Sequence, residues 1–325
     1  MSLDLGPALT HPFTGIDAAA VATLGPLTTG KVRDIVDLGD TIALIATDRL
    51  SAFDHVLGTV PYRGQVLNEL AVWWFDQIAD LVPSHVLGMP DENVTIGKKC
   101  TTLPVEVVVR GQLSGSTSTS LWTSYAAGER TIYGIDFPEG MSKNDPLPEA
   151  IITPTTKAER GGHDEPITES DIVANALVDG DLWEQVRSVA LAVFERGRRV
   201  AAEAGLVLVD TKYEFGLDAD GVLTIIDEVH TPDSSRFWRA STVDDRRAVG
   251  AEPENLDKEY VRLAYVRAGF DPESRADPWP LPEQLAREAA GVYQETFAAL
   301  TGHLFEPGAY PAAERVIAAL HSFTH

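Results

Sequence analysis

The stretch LVLVDTKYEFGLDADGVLTIIDEV, residues 206–229, restricts the fold of this chain more than any other part of the sequence. Two β-rich runs flank the pair Asp220-Gly221, and such a pair between alternating apolar residues is a strong signal for a β-hairpin. If Asp220 and Gly221 form the turn, Glu214 lies opposite Asp227. Antiparallel hairpins of this kind, without repeating βαβ units, predict a fold of the α+β class.

One face of this hairpin carries a concentrated set of charges. Because side chains alternate along a strand, Asp210, Lys212 and Glu214 share a face. Two carboxylates about 5 Å apart, as this register would place Glu214 and Asp227, repel each other unless a cation lies beside them. The set fits two oxygen ligands for Mg²⁺ with Lys212 close to phosphate oxygens. It fits a solvated face with an ordinary ion cluster equally well, and a one-residue slip would bring Glu228 opposite Glu214.

The rest of the chain mixes strands with helices. Residues 31–48 predict a second hairpin that turns at Gly39-Asp40, and residues 105–111 predict a short strand. Apolar residues at helical spacing predict helices over residues 67–82, over residues 182–204 and twice more from about residue 283.

These elements predict an α+β fold of antiparallel sheets with packed helices. The early hairpins and the later long helix favour two lobes. We expect a smaller β-rich lobe at residues 1–118 and a larger α+β lobe at residues 119–325.

The acidity of the chain limits its partners. Its 325 residues carry a formal net charge of -23, which disfavours binding to nucleic acid or a membrane surface, since both reward basic proteins. The single cysteine, Cys100, excludes an internal disulfide and is typical of a reducing compartment. The first residues do not form a signal peptide, and no apolar run has the length of a membrane helix. We expect a cytoplasmic protein with neither nucleic-acid nor membrane partners.

An anionic ligand would need a local group of basic residues, and two stretches supply candidates. GKVRD places Lys31 after a glycine with Arg33 on the same strand face, which suits either a cover over nucleotide phosphates or a plain surface strand. VEVVVRGQLSGS, residues 105–116, carries Glu106 and then Arg110 before a Gly/Ser stretch that ends at Ser116. This second stretch suits either an anion-binding nest or a flexible loop.

Three further stretches concentrate polar side chains. TDRLSAFD, residues 47–54, places Ser51 and Asp54 after an apolar strand, which is a frequent position for a site, although its Asp-Arg pair is also typical of a structural ion pair. ITPTTKAERGGHDEPIT, residues 152–168, contains a His-Asp-Glu run that suits a metal, a carboxylated substrate or simply a mobile charged loop. IIDEVHTPDSSRFW, residues 225–238, sets a dense polar patch between apolar anchors.

Taken in order along the chain, GKVRD, TDRLSAFD, VEVVVRGQLSGS, ITPTTKAERGGHDEPIT, VDTKYEFG and IIDEVHTPDSSRFW resemble the phosphoribosylaminoimidazole-succinocarboxamide synthase (SAICAR synthetase) family of purine biosynthesis. The resemblance runs from about residue 28 to residue 240. It implies a two-lobed fold, with an N-terminal lobe like that of protein kinases and an ATP-grasp-like arrangement around the nucleotide. The implied activity joins carboxyaminoimidazole ribonucleotide (CAIR) and L-aspartate at the expense of ATP, with Mg²⁺, through an acyl phosphate.

The resemblance also implies roles for individual residues. The residues implied to bind ATP are Lys31, Arg33, Glu106, Lys212, Glu214 and Asp227. The implied catalytic residues are Lys212 and Asp227, and the implied ligands of Mg²⁺ are Glu214, Asp227 and Asp164. The residues implied to bind the ribonucleotide substrate are Ser51, Asp54, Arg110, Ser116, Ser235 and Arg236.

Two other functions remain compatible with the same residues. A different ATP-dependent small-molecule kinase or ligase on this scaffold would share Lys31, Glu214 and Asp227, but it would have no use for the phosphate grip expected of PDSSRFW. A non-catalytic nucleotide-binding module is the other alternative. It would not need a charged residue at every charged motif position, whereas in this sequence none of these positions holds an apolar residue. The oligomeric state and the base that would accept a proton from the aspartate amine are left open by the sequence.

Overall fold

The structure is a computed structural model that describes residues 4–115, 120–157, 165–272, 274 and 276–323. The chain forms two compact units. The first comprises Met1–Gln77, His85–Lys99 and Leu256–His325, and the second comprises Ile78–Ser84 and Cys100–Asn255. Each unit is thus assembled from separate stretches of chain, and the division into lobes at residue 118 stays a prediction.

Extended elements are spread over both units. Among the described residues the strands are β1 (Leu27–Thr29), β2 (Arg33–Asp37), β3 (Thr41–Ala46), β4 (Arg49–Ala52), β5 (His55–Thr59), β6 (Val86–Asp91), β7 (Val94–Lys98), β8 (Thr101–Thr102), β9 (Val105–Gln112), β10 (Thr131–Ile132), β11 (Ile135–Asp136), β12 (Pro146–Ile152), β13 (Thr155–Thr156), β14 (Leu206–Leu217), β15 (Leu223–Ile226) and β16 (Ser235–Arg239).

The described chain also contains helices. In the same described ranges they are α1 (Gly6–Thr10), α2 (Arg63–Gln77), α3 (Leu121–Ala126), α4 (Glu169–Ala174), α5 (Gly180–Glu203), α6 (Ala240–Ala248), α7 (Glu259–Arg267), α8 (Glu283–Thr301) and α9 (Ala312–Phe323), with a short 3₁₀ helix at Ala18–Val21. The long helices therefore lie where apolar spacing predicts them. None of the helices in the described part of the chain combines the length and apolar character that crossing a membrane requires.

The first unit is organised around an antiparallel sheet whose described strands run in the order β1-β2-β3-β7-β6. The predicted turn at Gly39-Asp40 joins β2 to β3, since the Leu38 N–H donates to the Thr41 carbonyl at 3.0 Å. Apolar side chains of β2, β3 and β7 pack with α9 in one core. The separate pair β4 and β5 forms a second small sheet.

The second unit is organised around β14. One edge of this strand pairs with β9, and the other pairs with β16 and then with β15. Helix α5 packs against β14, β9 and β12 and buries Val186, Val193 and Phe194 completely. In both units the paired strands run antiparallel and carry packed helices, which confirms the α+β class. The likeness to kinase and ATP-grasp folds stays a prediction.

The register of the central hairpin differs by one residue from the prediction. Glu214 pairs with Ile226, and not with Asp227. The loop is one residue longer than expected, with Gly221 at a φ of 76°, a conformation typical of three-residue hairpin loops. Asp227 follows the end of β15 and has a φ of 70°, so the backbone leaves the ladder at this residue.

Candidate active site

A cluster of lysines and carboxylates lies on one face of β14. The Lys212 ammonium donates to Glu214 Oε1 and to Glu106 Oε1, each at 2.8 Å. Glu106 comes from β9, which pairs directly with β14, and the alternation of side chains brings it to the same face. The carboxylates of Glu106 and Glu214 are only 13% and 10% exposed, so their charges are poorly screened by water.

A second lysine completes this cluster. Lys157, which directly follows β13, donates to Glu214 Oε2. Because Lys212 holds the other carboxylate oxygen, Glu214 lies between two ammonium groups. Lys157 is 38% exposed and Lys212 is 34% exposed, so both cations can be reached from solvent. The cluster of Glu106, Lys157, Lys212 and Glu214 is called the lysine–carboxylate cluster below.

Asp227 contributes to the electrostatics of this cluster. Burial disfavours the charged form of Lys212, but the carboxylates of Glu214, Glu106 and Asp227 outweigh it and raise the pKa of Lys212 well above its ordinary value. Asp227 therefore lies near the lysine although it is not paired with Glu214 in the ladder. Lys212 stays protonated at neutral pH, as a group that neutralises phosphate must.

The donor chemistry of the cluster fits Mg²⁺ bound together with a phosphate. Mg²⁺ takes oxygen ligands and is usually held by one or two carboxylates plus substrate phosphates and water. Glu214 and Asp227 supply two such carboxylates beside two lysines. Within the described ranges, no group of three or more His, Cys, Asp or Glu side chains is arranged to hold a metal ion.

Two arginines form a separate cationic group on the same unit. Arg110 of β9 and Arg236 of β16 are the cross-strand neighbours of Asp210 on the two edges of β14. The Arg236 guanidinium donates to Asp210 Oδ2 at 2.7 Å and to Ser114 Oγ at 3.1 Å. Arg110 lies 3.5 Å from the same Asp210 oxygen and donates to Thr153 Oγ1 at 2.8 Å.

The two guanidinium groups share the Asp210 carboxylate. Burial and, to a lesser degree, the like charge of Arg236 lower the pKa of Arg110, whereas Asp210 acts in the opposite direction. The Arg110 and Arg236 side chains are 15% and 16% exposed. Partly buried guanidinium groups held in fixed positions are well suited to bind a phosphate group.

Ser235 lies next to Arg236 but faces the other way. Its hydroxyl donates to Thr211 Oγ1 at 2.7 Å, and the residue is 6% exposed. Neighbouring residues on a strand point to opposite faces, which explains the difference. The contact recorded for Ser235 is structural, and its contact with substrate stays a prediction.

The first unit contains four of the predicted residues. Lys31 follows β1, and its ammonium donates to Asp54 Oδ1 at 2.8 Å. Both side chains are exposed, at 59% and 67%. Asp54 lies in the turn between β4 and β5, and Ser51 lies within β4. Arg33 is the first residue of β2.

Two predicted residues, Ser116 and Asp164, lie outside the described residues, and their roles stay predictions. Eight of the others fall into three groups: the lysine–carboxylate cluster with Asp227, the arginine group around Asp210, and the Lys31–Asp54 pair. Arg33, Ser51 and Ser235 belong to none of these groups.

Comparison with known proteins identifies the family. The sequence model of the family described as SAICAR synthetase matches residues 26–275 of this chain. The chain belongs to the SAICAR synthetase family. The prediction made from the order of the motifs is therefore confirmed.

Relatives in this family resemble the chain over most of its length. A phosphoribosylaminoimidazole-succinocarboxamide synthase of Legionella pneumophila (strain Lens) is 46% identical over 306 residues, which is 91% of this chain and 94% of the relative. The chloroplastic phosphoribosylaminoimidazole-succinocarboxamide synthase of Vigna aconitifolia is 54% identical over 236 residues, or 73% of this chain and 69% of the relative.

A solved structure of the SAICAR synthetase family has a similar fold. The SAICAR-synthase from Saccharomyces cerevisiae complexed with SAICAR is 27% identical to this chain and superposes with a TM-score of 0.76. The likeness covers 91% of this chain and 100% of the yeast chain.

Sequence reasoning missed two residues, Lys157 in the lysine–carboxylate cluster and Asp210 in the arginine group. Lys157 stands within a recognised motif, but nothing in its local sequence shows that it reaches Glu214. Asp210 is recognisable as sharing a face with Lys212, but its two arginine partners come from strands far away in sequence. A prediction of strand order would have been needed to find either contact.

Proposed function

We propose that this chain is a phosphoribosylaminoimidazole-succinocarboxamide synthase, an ATP-dependent ligase that joins CAIR and L-aspartate to give SAICAR, ADP and phosphate. One observation carries the proposal beyond family membership. A single face of β14 presents the arginine group around Asp210 and, about 13 Å along the strand, the cluster around Glu214. Two separate groups on one strand, one with two arginines and one with two lysines beside carboxylates that can bind Mg²⁺, suit a reaction in which two phosphorylated molecules bind side by side.

The chemistry explains why two groups are needed. The carboxylate of CAIR is a poor electrophile, so ATP transfers its terminal phosphoryl group to that carboxylate and ADP leaves. The aspartate amine then attacks the acyl carbon, the C–O bond to phosphate breaks, and the amine loses a proton as the amide forms. Phosphoryl transfer asks the protein mainly to position the reactants and to neutralise charge.

In this proposal the lysine–carboxylate cluster binds the phosphates of ATP. Lys212 contacts phosphate oxygens as a catalytic residue, and Glu106 contributes to ATP binding by holding the Lys212 ammonium in place. Lys31 and Arg33 bind ATP as the resemblance implies. Mg²⁺ neutralises phosphate charge when bound, and Glu214, Asp227 and Asp164 are its proposed protein ligands.

The arginine group serves the ribonucleotide. Arg110 and Arg236 bind its phosphate, with Ser116 and Ser235 as further contacts implied by the resemblance. Ser51 and Asp54 are proposed to line the CAIR side. Because the chain carries a formal net charge of -23, such local basic groups are required for anionic substrates to bind at all. We propose the cytoplasm as the place of the reaction.

A coupled assay for ADP release tests this function. ADP release should require CAIR and L-aspartate together, and SAICAR should accumulate in equal amount with ADP. ADP release with CAIR alone, at the same rate, would indicate a small-molecule kinase instead. Binding of ATP without any turnover in the presence of both substrates would indicate a nucleotide-binding module.

A further inference from the structure

Arg49 holds the backbone of the segment that carries Lys31, and none of the roles proposed above involves this arginine. We propose that Arg49 is a positioning residue that fixes the backbone of residues 30–33, called the nucleotide loop here, before ATP arrives. The inference rests on the proposed function, in which Lys31 binds ATP phosphates.

Arg49 binds the nucleotide loop through its backbone. Its guanidinium donates to the Gly30 carbonyl at 3.0 Å and to the Lys31 carbonyl at 3.2 Å, and it also donates to the Thr14 carbonyl. The loop is tight, since the Gly30 N–H donates to the Arg33 carbonyl at 2.8 Å. One side chain therefore fixes two consecutive peptide groups at the position where Lys31 leaves the backbone.

Arg49 is itself fixed by a buried partner. Its Nη2 lies 2.8 Å from Asp34 Oδ1, and the two side chains are 12% and 2% exposed. The backbone of Gly15 approaches this pair so closely that a Cβ there would lie 2.4 Å from Asp34 Oδ2. A charge pair that is shielded from water and fully hydrogen-bonded holds its geometry more firmly than one at the surface.

The Lys31 side chain is held far less firmly. Its partner is the exposed Asp54, and ion pairs between exposed side chains contribute little because water screens them. A phosphate can therefore take the ammonium from Asp54 at little cost, while Arg49 keeps the loop backbone in place. Because the loop backbone is already fixed and only the side chain moves, ATP binding costs less conformational entropy in this loop.

The geometry also requires arginine. Three carbonyls and a carboxylate surround the guanidinium, and its five N–H donors in a planar fork can serve them together. An ammonium has three donors at a single point, so lysine would leave part of this set without a donor.

The substitution Arg49→Lys in the full-length enzyme tests the inference. The KM for ATP should rise about tenfold and the affinity for ADP with Mg²⁺, measured by titration calorimetry, should fall by a similar factor. The KM for CAIR and kcat should change less than about twofold. Arg196→Lys is the matched control, because Arg196 forms a two-contact pair with Asp80, at 3.0 Å and 2.8 Å, without touching the loop.

The proposed role of Arg49 would be overturned if the KM for ATP, the KM for CAIR and kcat all changed together, or if none of them changed. Asp34→Asn provides a second variant, which should raise the KM for ATP less than Arg49→Lys does. If Arg49→Lys does not give a native circular dichroism spectrum, the inference is tested by comparing the KM for ATP of Asp34→Asn with that of the wild type. Rapid exchange of the Gly30 amide hydrogen in the wild type without nucleotide would contradict a prearranged loop. A wild type that forms no SAICAR would instead refute the proposed function.

Discussion

Lys212 and Glu214 stand two residues apart on β14 with the ammonium 2.8 Å from Oε1 of the carboxylate. The other oxygen of Glu214 accepts from Lys157, so the carboxylate balances two cations in the absence of nucleotide. In the proposed function, an ATP phosphate would be a further acceptor for both lysines, and Glu214 would then bind Mg²⁺.

Asp227→Asn should lower kcat by about 100-fold or more, because an amide is a much poorer ligand for Mg²⁺ than a carboxylate. The fold should be preserved, since Asp227 follows the end of β15 and pairs with no residue in the ladder. Steady-state rates over a range of Mg²⁺ concentrations check this. Asp220→Asn, in the loop of the same hairpin, serves as the control and should behave like the wild type. Near-normal turnover of Asp227→Asn would remove Asp227 from the metal ligands.

Arg236→Ala should raise the KM for CAIR by about tenfold or more while leaving the KM for ATP nearly unchanged. The reason is that Arg236 belongs to the arginine group around Asp210 and not to the lysine–carboxylate cluster. Arg239→Ala is a suitable control, because Arg239 lies on the same strand but pairs with Glu254 at 2.8 Å. Equal effects on both substrates would place Arg236 outside the ribonucleotide site.

Much of the fold is predictable because its signals are local. Turn residues and apolar spacing locate the hairpins and the long helices, and side-chain alternation correctly places Lys212 and Glu214 on one face. The register at Asp227 is wrong by one residue, because the sequence DADG is compatible with loops of two or three residues. The difference between them depends on the backbone conformation at Gly221.

The site is less predictable because its contacts are distant in sequence. Arg110 and Arg236 meet at Asp210 only because β9 and β16 pair with opposite edges of β14, which no local pattern reveals. The order of the motifs identified the family without knowledge of the strand pairing. The reason is that the motifs of a family consist of residues that lie close together in its fold. What it did not supply was the partner of each charge, such as Lys157 for Glu214.

Lys157→Met should reduce kcat by about tenfold or more, because one of the two cations at Glu214 is lost where phosphate charge has to be neutralised. Methionine keeps most of the length of the unbranched side chain and removes the charge together with the N–H donors. Lys143→Met is the matched control, as Lys143 also pairs with a glutamate, Glu252, outside the cluster. If Lys157→Met turned over like the control, Lys157 would have only a structural role.

The pH dependence of stability should contain a contribution from His230. Burial lowers the pKa of this core imidazole to about 3, from its ordinary value of 6.5. The unfolded chain therefore gains a proton at His230 between pH 6.5 and about 3 that the folded chain does not, so stability should decline as pH falls through this range. The slope from this group is at most about 1.4 kcal/mol per pH unit. Urea unfolding of the wild type and of His230→Gln should show a shallower decline in the variant, whereas His55→Gln, at a surface histidine, should follow the wild type. Parallel pH profiles for the wild type and His230→Gln would show that His230 does not contribute.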